Sequence, residues 1–331
     1  MWSISPLYKD KSCAVYGCST RGKVNTFITS SAESRRICND SLFVGVNYTD
    51  ALKTACQRIL SAESQFTSLP IAEDSAVVLN ILRGGLNFGL REALAQAHGW
   101  NRHASAFISA QRVRETPESD TWHITEADYR KIQLPPVCDL VFGDVVATGT
   151  SLRHGLKLFL SAASEQGTKL RSIRFFTIGG DAALNIISEV EKQAIALFPD
   201  YQGTALYFLE GCFSVANKNS NLHITIPGTD LLRRESLMAE EFIASQGENP
   251  AYPIERCAIY DAGSRAFFLP EYLEDVRDYW QRVYELGEKG MTYQAYLDER
   301  FPALGQISAH GDISLIAVAN EMLERINKLA S

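Results

Sequence analysis

Apolar residues in the middle of the chain follow two rhythms. Continuous apolar runs of strand length occur at Ala76–Leu82, Ala104–Ser109, 138–142, 173–178 and 205–209, and most are separated by stretches in which apolar positions recur every three or four residues. Those stretches, 86–98, 151–163 and 181–197, predict covering helices. A strand buried on both faces reads as an unbroken apolar run, so the alternation predicts an α/β fold: a parallel sheet flanked by helices, joined by right-handed crossovers. A further helix is expected over 49–63, entered through Asp50 as its cap.

Two regions break the rhythm. Residues 111–136, QRVRETPESDTWHITEADYRKIQLPP, make a polar connection longer than a compact domain needs, and such length suits a lid, a binding loop or a flap. Beyond Leu231 the pattern turns helical, with a loop at 245–253 and an aromatic-rich stretch at 275–290, DVRDYWQRVYELGEKG, spaced for one helix face. The chain therefore divides into an N-terminal helical extension (1–70), a core with a small hood (71–232) and a C-terminal helical extension (233–331).

Composition narrows the function classes. At 46% hydrophobic and 21% charged, the 331 residues suit a globular protein, and the net charge of -7 with dispersed Lys and Arg gives no footprint for nucleic acid. No apolar stretch approaches a membrane span and the first residues lack a secretory core, so a cytoplasmic location is expected. The seven cysteines are too scattered for a zinc site and odd in number, which reads as free thiols, and the six histidines show no metal spacing.

Against that background one stretch carries chemistry: LVFGDVVATGTSLRHGL, residues 140–156, in which an apolar run ends in a lone acid, small hydroxyl and glycine residues, and a helix start. Ligands of open parallel sheets bind beyond the carboxyl ends of strands, where free amides and the helix dipole favour an anion. Ala147, Thr148, Gly149, Thr150 and Ser151 would cradle a monophosphate, with Asp144 beside it for ribose hydroxyls or a magnesium ion. The Walker lysine and the GxGxxG spacing are both absent, which argues against nucleotide hydrolysis and hydride transfer. A plain strand-to-helix turn is the simpler alternative.

GDVVATGTS resembles the phosphoribosyl pyrophosphate signature of type I phosphoribosyltransferases, and ILRGGLNFGL at 81–90 resembles that family's earlier pyrophosphate loop. The order of parts is most similar to uracil phosphoribosyltransferase, because LHITIPGTD at 222–230 looks like its base-binding segment. The resemblance spans roughly residues 75–232. It implies a type I phosphoribosyltransferase-like sheet and transfer of a phosphoribosyl group to a nucleobase, pyrimidine-like by this comparison, with release of pyrophosphate and use of Mg2+.

On that resemblance Arg83 and the amides of Gly84 and Gly85 face pyrophosphate, Arg112 and Arg114 swing over it, and Asp144 meets ribose or magnesium. Ile226, Pro227 and Gly228 read the base edge, while Asp230 holds a water or a ring N–H. Bland alternatives stand beside these: a surface ion pair for Arg83, solvated arginines at 112 and 114, a Pro-Gly turn at 227–228. One departure is specific. The family has an acid where this chain has Gly143, which leaves open a catalytically weak regulatory protein that binds phosphoribosyl pyrophosphate or a nucleotide, or a different phosphoribosyl chemistry. The partners implied are small molecules, and a homodimer is the default assembly.

Overall fold

The apolar runs become the central strands of one sheet in the computed structural model, which describes residues 3–19, 23–82, 84–114, 122–126, 129–217, 219–226, 230–256, 268–302 and 313–330, with side chains left out at 111–114 and 122–126. From the N-terminus come β1 (Ile4–Lys9), β2 (Ala14–Cys18), β3 (Asn25–Ser30), β4 (Ala76–Leu82) and β5 (Ala104–Ser109). A short ribbon follows, β6 (Gln111–Arg114) and β7 (Trp122–Glu126), then β8 (Arg130–Lys131), β9 (Val137–Val146), β10 (Lys169–Gly180), β11 (Gly203–Val215) and β12 (Leu231–Met238). The main sheet runs β1-β2-β3-β11-β10-β9-β4-β5-β8, with β12 paired antiparallel to β11. From β3 through β5 all neighbours are parallel.

The helices in chain order are α1 (Ala32–Asn39), which no expectation covered, and α2 (Gly45–Ala62), α3 (Leu90–His98), α4 (Thr150–Glu165) and α5 (Asp181–Leu197), which lie where the 3.6-residue period predicts them. The cap of α2 is a correction: the helix starts at Gly45 behind Val44, a turn earlier than expected, so Asp50 lies inside it and does not cap it. Because successive residues of a strand face opposite sides, Phe175 stacks on Phe142 with centroids 4.4 Å apart while its neighbour Phe176 stacks on Tyr207 at 4.8 Å. The sheet is thus apolar on both faces. The amino ends of its strands are tied by buried polar groups: Asp139 accepts from the Ser75 and Ser172 hydroxyls at 2.6 and 2.8 Å, and Arg174 donates to Glu63 and to the Leu69 and Pro70 carbonyls.

Two further expectations need correction. The first 70 residues contain three strands as well as α1 and α2, and β3 extends the parallel sheet beside β11. β1 leaves no apolar run because it is an exposed edge, β3 (NTFITS) buries hydroxyls among its apolar residues, and β2 (AVYGC) offers only a short one, Ala14–Tyr16. The helical pattern placed after Leu231 likewise begins with β12, whose sequence LLRRESLM interrupts its apolar positions with charge. Helices then follow: α6 (Glu240–Ser245), α7 (Leu269–Glu288), α8 (Tyr293–Arg300) and α9 (Leu315–Ala330). Among the described residues, no helix is long and apolar enough to cross a membrane.

Candidate functional site

In chain order the strands β4, β5, β9, β10 and β11 lie side by side as 2-1-3-4-5. Such a sheet has its topological switch point between the first and third strands, here β4 and β9, and ligands of doubly wound folds bind in the crevice there. Both glycine-containing loops singled out from the sequence start at this point. Residues Gly84–Phe88 form a 3-10 turn after β4, and 147–149 join β9 to α4.

The second loop is built for close approach. Gly149 caps α4 with φ +77, a left-handed conformation that costs a side-chain-bearing residue about 1–2 kcal/mol. No side chain caps the helix and no acid lies in its first turn, so the first amides and the positive end of a 16-residue helix face the loop. Ala147, Thr148, Thr150 and Ser151 are half-buried around it, as is Asp144. Across the sheet the Thr177 hydroxyl donates to the Asp144 carbonyl at 2.9 Å, fixing the strand backbone just ahead of the loop.

The first loop folds back over the ends of β4 and β9. A Cβ on Gly85 would lie 3.3 Å from the Gly143 carbonyl oxygen, and one on Gly143 would meet the Phe88 ring at 2.3 Å. The structure therefore explains the missing acid at 143: the buried ring of Phe88 occupies the space a side chain there would need. Beside it Asn87 is buried, with Nδ2 lacking a hydrogen-bond partner among the described residues. Sequence reasoning passed over Asn87, since a lone Asn among glycines reads as turn chemistry.

Other candidates fall as follows. Arg83, Pro227 and Gly228 lie outside the described residues. Arg112 and Arg114 stand on β6, opposite Ile124 and Trp122 of β7, in an antiparallel ribbon that contacts α4, the helix that follows the 147–149 loop. Ile226 is half-buried in the connection between β11 and β12. Asp230 is fully buried, and its two carboxylate oxygens accept from Arg300 Nη1 and Nη2 at 2.7 and 2.9 Å. This carboxylate is engaged by a guanidinium from the C-terminal region, a partner no local pattern announces.

Next to the β9–α4 loop along the carboxyl edge is a cavity of about 640 Å³, bordered by Asp181 at the start of α5, by Cys212, Phe213 and Ser214 of β11, and by Asn217 and Ser236. Val146 pairs with Gly179 and Gly179 with Cys212, so two strand spacings, roughly 10 Å, separate the cavity from the loop. The Cys212 thiol is pushed up to about 12 by burial, and Cys18 likewise, which suits packed thiols rather than nucleophiles. Among the described residues no group of three metal-ligating side chains occurs.

No protein-family model and no curated protein matches the sequence. Solved structures similar to it include a mutant hypoxanthine phosphoribosyltransferase of Trypanosoma cruzi with its product IMP, at 13% identity and TM-score 0.24 over 40% of this chain and 65% of that one. A ternary substrates complex of a mutant of the same enzyme aligns at 10% identity and TM-score 0.26, covering 59% of this chain and 94% of the other. An asparagine mutant made to analyse an invariant aspartic acid of these enzymes aligns at 12% identity and TM-score 0.25 over 40% of this chain. The chain spans 65% and 66% of two of these, just under two thirds of their length.

Proposed function

We propose that the protein binds phosphoribosyl pyrophosphate at the β4–β9 switch point and transfers its phosphoribosyl group to a nucleobase. The observation that carries this reading is the meeting of two glycine-containing loops at one crevice, one of them ending at an uncapped helix N-terminus. In the reaction the bond from the anomeric carbon to a pyrophosphate oxygen breaks, its electron pair leaving with pyrophosphate. A ring nitrogen of the base forms the new bond and its proton passes to solvent.

The amides of Ala147–Ser151 and the hydroxyls of Thr148, Thr150 and Ser151 hold the 5-phosphate and keep the sugar in place. Arg83 and the amides of Gly84 and Gly85 stabilise the departing polyanion, a task for preorganised donors, and Asn87 supplies a further amide when the loop moves. Arg112 and Arg114, on the ribbon against α4, close over the leaving group and exclude water. Asp144 orients the ribose hydroxyls. A magnesium ion fits this donor set, because magnesium characteristically takes one or two carboxylates and completes its shell with substrate phosphates and waters; Asp144 would hold it, and it would neutralise pyrophosphate charge. The acceptor occupies the cavity at the ends of β10 and β11, and recognition of its base edge is assigned to Ile226, Pro227 and Gly228. A pyrimidine-like base rests on the sequence resemblance alone.

The Phe88 ring above Gly143 favours a second reading, a regulatory protein that binds the sugar phosphate with little turnover. One experiment tests both. Calorimetric titration with phosphoribosyl pyrophosphate, with and without Mg2+, is paired with a pyrophosphate-release assay over uracil, cytosine, hypoxanthine, guanine and adenine. Binding lost in Asp144→Ala and Thr148→Ala, with release triggered by one base, is the expected result. Binding without release supports the regulator, and absence of binding overturns the phosphate-loop argument.

A further inference from the structure

The connection between β11 and β12 leaves the carboxyl edge of the sheet beside the cavity. Its root is closed by the Ala216 amide donating to the Asp230 carbonyl at 2.9 Å. Within it, Asp230 N reaches back to the Ile226 carbonyl at 3.3 Å, and the Thr225 hydroxyl donates to the Leu222 carbonyl at 3.2 Å. Ile224, 3% exposed, sits in the core and half-buried Ile226 packs against it. The two ends of the stretch from His223 to Asp230 carry a further constraint.

That constraint comes from two consecutive residues of α8. Glu299 Oε1 accepts from the His223 backbone amide at 2.7 Å, and its Oε2 is paired with the His223 ring Nδ1. Arg300 forks both nitrogens onto Asp230, and Nη2 also reaches the Glu255 carbonyl at 3.4 Å. The guanidinium, 2% exposed, lies 5.6 Å from the Tyr279 ring of α7, whose hydroxyl pairs with Tyr296 of α8 at 3.0 Å. The C-terminal region thus grips both ends of the stretch from His223 to Asp230.

A buried ion pair brings little net stability over apolar residues of the same size, whereas its planar two-point geometry fixes register and orientation. A cap whose only role was packing would be cheaper to build from leucine. Here the fork is aimed at the last residue of the very segment proposed to read the base.

We propose that Glu299 and Arg300 are positioning residues for the acceptor side of the site, so that the C-terminal region sets affinity for the base while leaving the sugar-phosphate site alone. This rests on the function proposed above. The two are separated by comparing ligands that share the phosphate and differ in the base: ribose 5-phosphate, UMP and IMP, titrated by calorimetry into the full chain and into Glu299→Gln, Arg300→Lys and Asp230→Asn. Thermal unfolding checks each variant. Glu299→Gln, which alters a contact to the exposed His223, keeps the test available should a buried variant not fold.

The expected result is an unchanged ribose 5-phosphate affinity in every folded variant, with the better-bound nucleotide weakened about tenfold in Arg300→Lys, about 1.4 kcal/mol, and less in Glu299→Gln. Nucleotide affinities equal to those of the natural protein in both variants would overturn the proposal. So would a natural protein that binds both nucleotides no more tightly than ribose 5-phosphate, a result that leaves the phosphate site standing. Absence of ribose 5-phosphate binding by the natural protein would remove the proposed function and this inference together.

Discussion

Placing a methyl group on Gly143 tests the geometry of the crevice directly. Its carbon would sit 2.3 Å from Phe88 Cγ and 2.5 and 2.8 Å from the two Cδ atoms, where carbon atoms normally rest about 3.5–4.0 Å apart. Ring or strand must therefore give by about 1.2 Å, and Phe88 is fully buried. Overpacking of this kind costs about 1–3 kcal/mol. Against it stands the relief of glycine's own entropic cost inside a strand, about 0.5–1 kcal/mol.

The clash wins, and Gly143→Ala should lose about 1–2 kcal/mol, a fall in Tm of roughly 1–3 °C for a chain of this size. Thermal and urea unfolding measure it. Phe88→Ala alone should cost about 3–5 kcal/mol through the cavity it leaves. In the double variant the new methyl group enters that cavity, so the two costs should fall short of additivity by about 1 kcal/mol or more. Gly143→Asp on its own should gain no affinity for phosphoribosyl pyrophosphate, because the acid has no room; paired with Phe88→Ala it should. A Gly143→Ala protein with the natural Tm, or strict additivity in the cycle, would refute the packing argument and its account of the missing acid.

Gly149→Ala forces a side chain to φ +77 beside Ile186; calorimetry should show ribose 5-phosphate binding weakened at least about tenfold, with a stability loss near 1–2 kcal/mol. Asn87→Leu removes a buried donor that lacks a partner among the described residues, so unfolding should show equal or greater stability, by up to about 1–3 kcal/mol, while affinity for phosphoribosyl pyrophosphate falls. Lost stability with unchanged affinity would put the side chain in the packing only. Glu210, held by Ser30, Ser34 and the Ser31 amide, is raised by burial from 4.5 to about 7. The folded protein therefore binds this proton more tightly than the unfolded chain, so stability falls as pH rises from about 4.5 to about 7 and levels off above. Urea unfolding of natural protein and Glu210→Gln across pH 5–8 should give a difference that changes by up to about 3 kcal/mol over that window; a pH-independent difference would place the group outside it.

How far the sequence speaks depends on the range of the interaction. β4 and β5 begin and end where their apolar runs do, because strands buried on both faces admit little else. The runs at 138–142, 173–178 and 205–209 lie inside β9, β10 and β11, which extend beyond them at both ends. Charged residues also stand within these strands, and local pattern does not explain them because their partners are far along the chain: Asp139 is satisfied by Ser75, Arg174 by Glu63 and Glu210 by Ser30 and Ser34. The helix expected from residue 86 starts at Leu90 instead, since Gly89 at φ +55 separates the 3-10 turn from α3.

At the crevice the same logic divides what could be read from what could not. The loop proposed to cradle phosphate is local: Thr148, Gly149, Thr150 and Ser151 are neighbours in sequence, and Gly149 holds the left-handed turn into α4. Gly143 is different, because its meaning lies in Phe88, a residue of another loop, and only the strand order brings the two together. Asp230 is more distant still, its carboxylate bound to Arg300 on a helix that the resemblance to known phosphoribosyltransferases does not reach. Affinity for the phosphate should therefore respond to changes within its own short loop, whereas selection among bases should respond to residues seventy positions away at the other end of an ion pair.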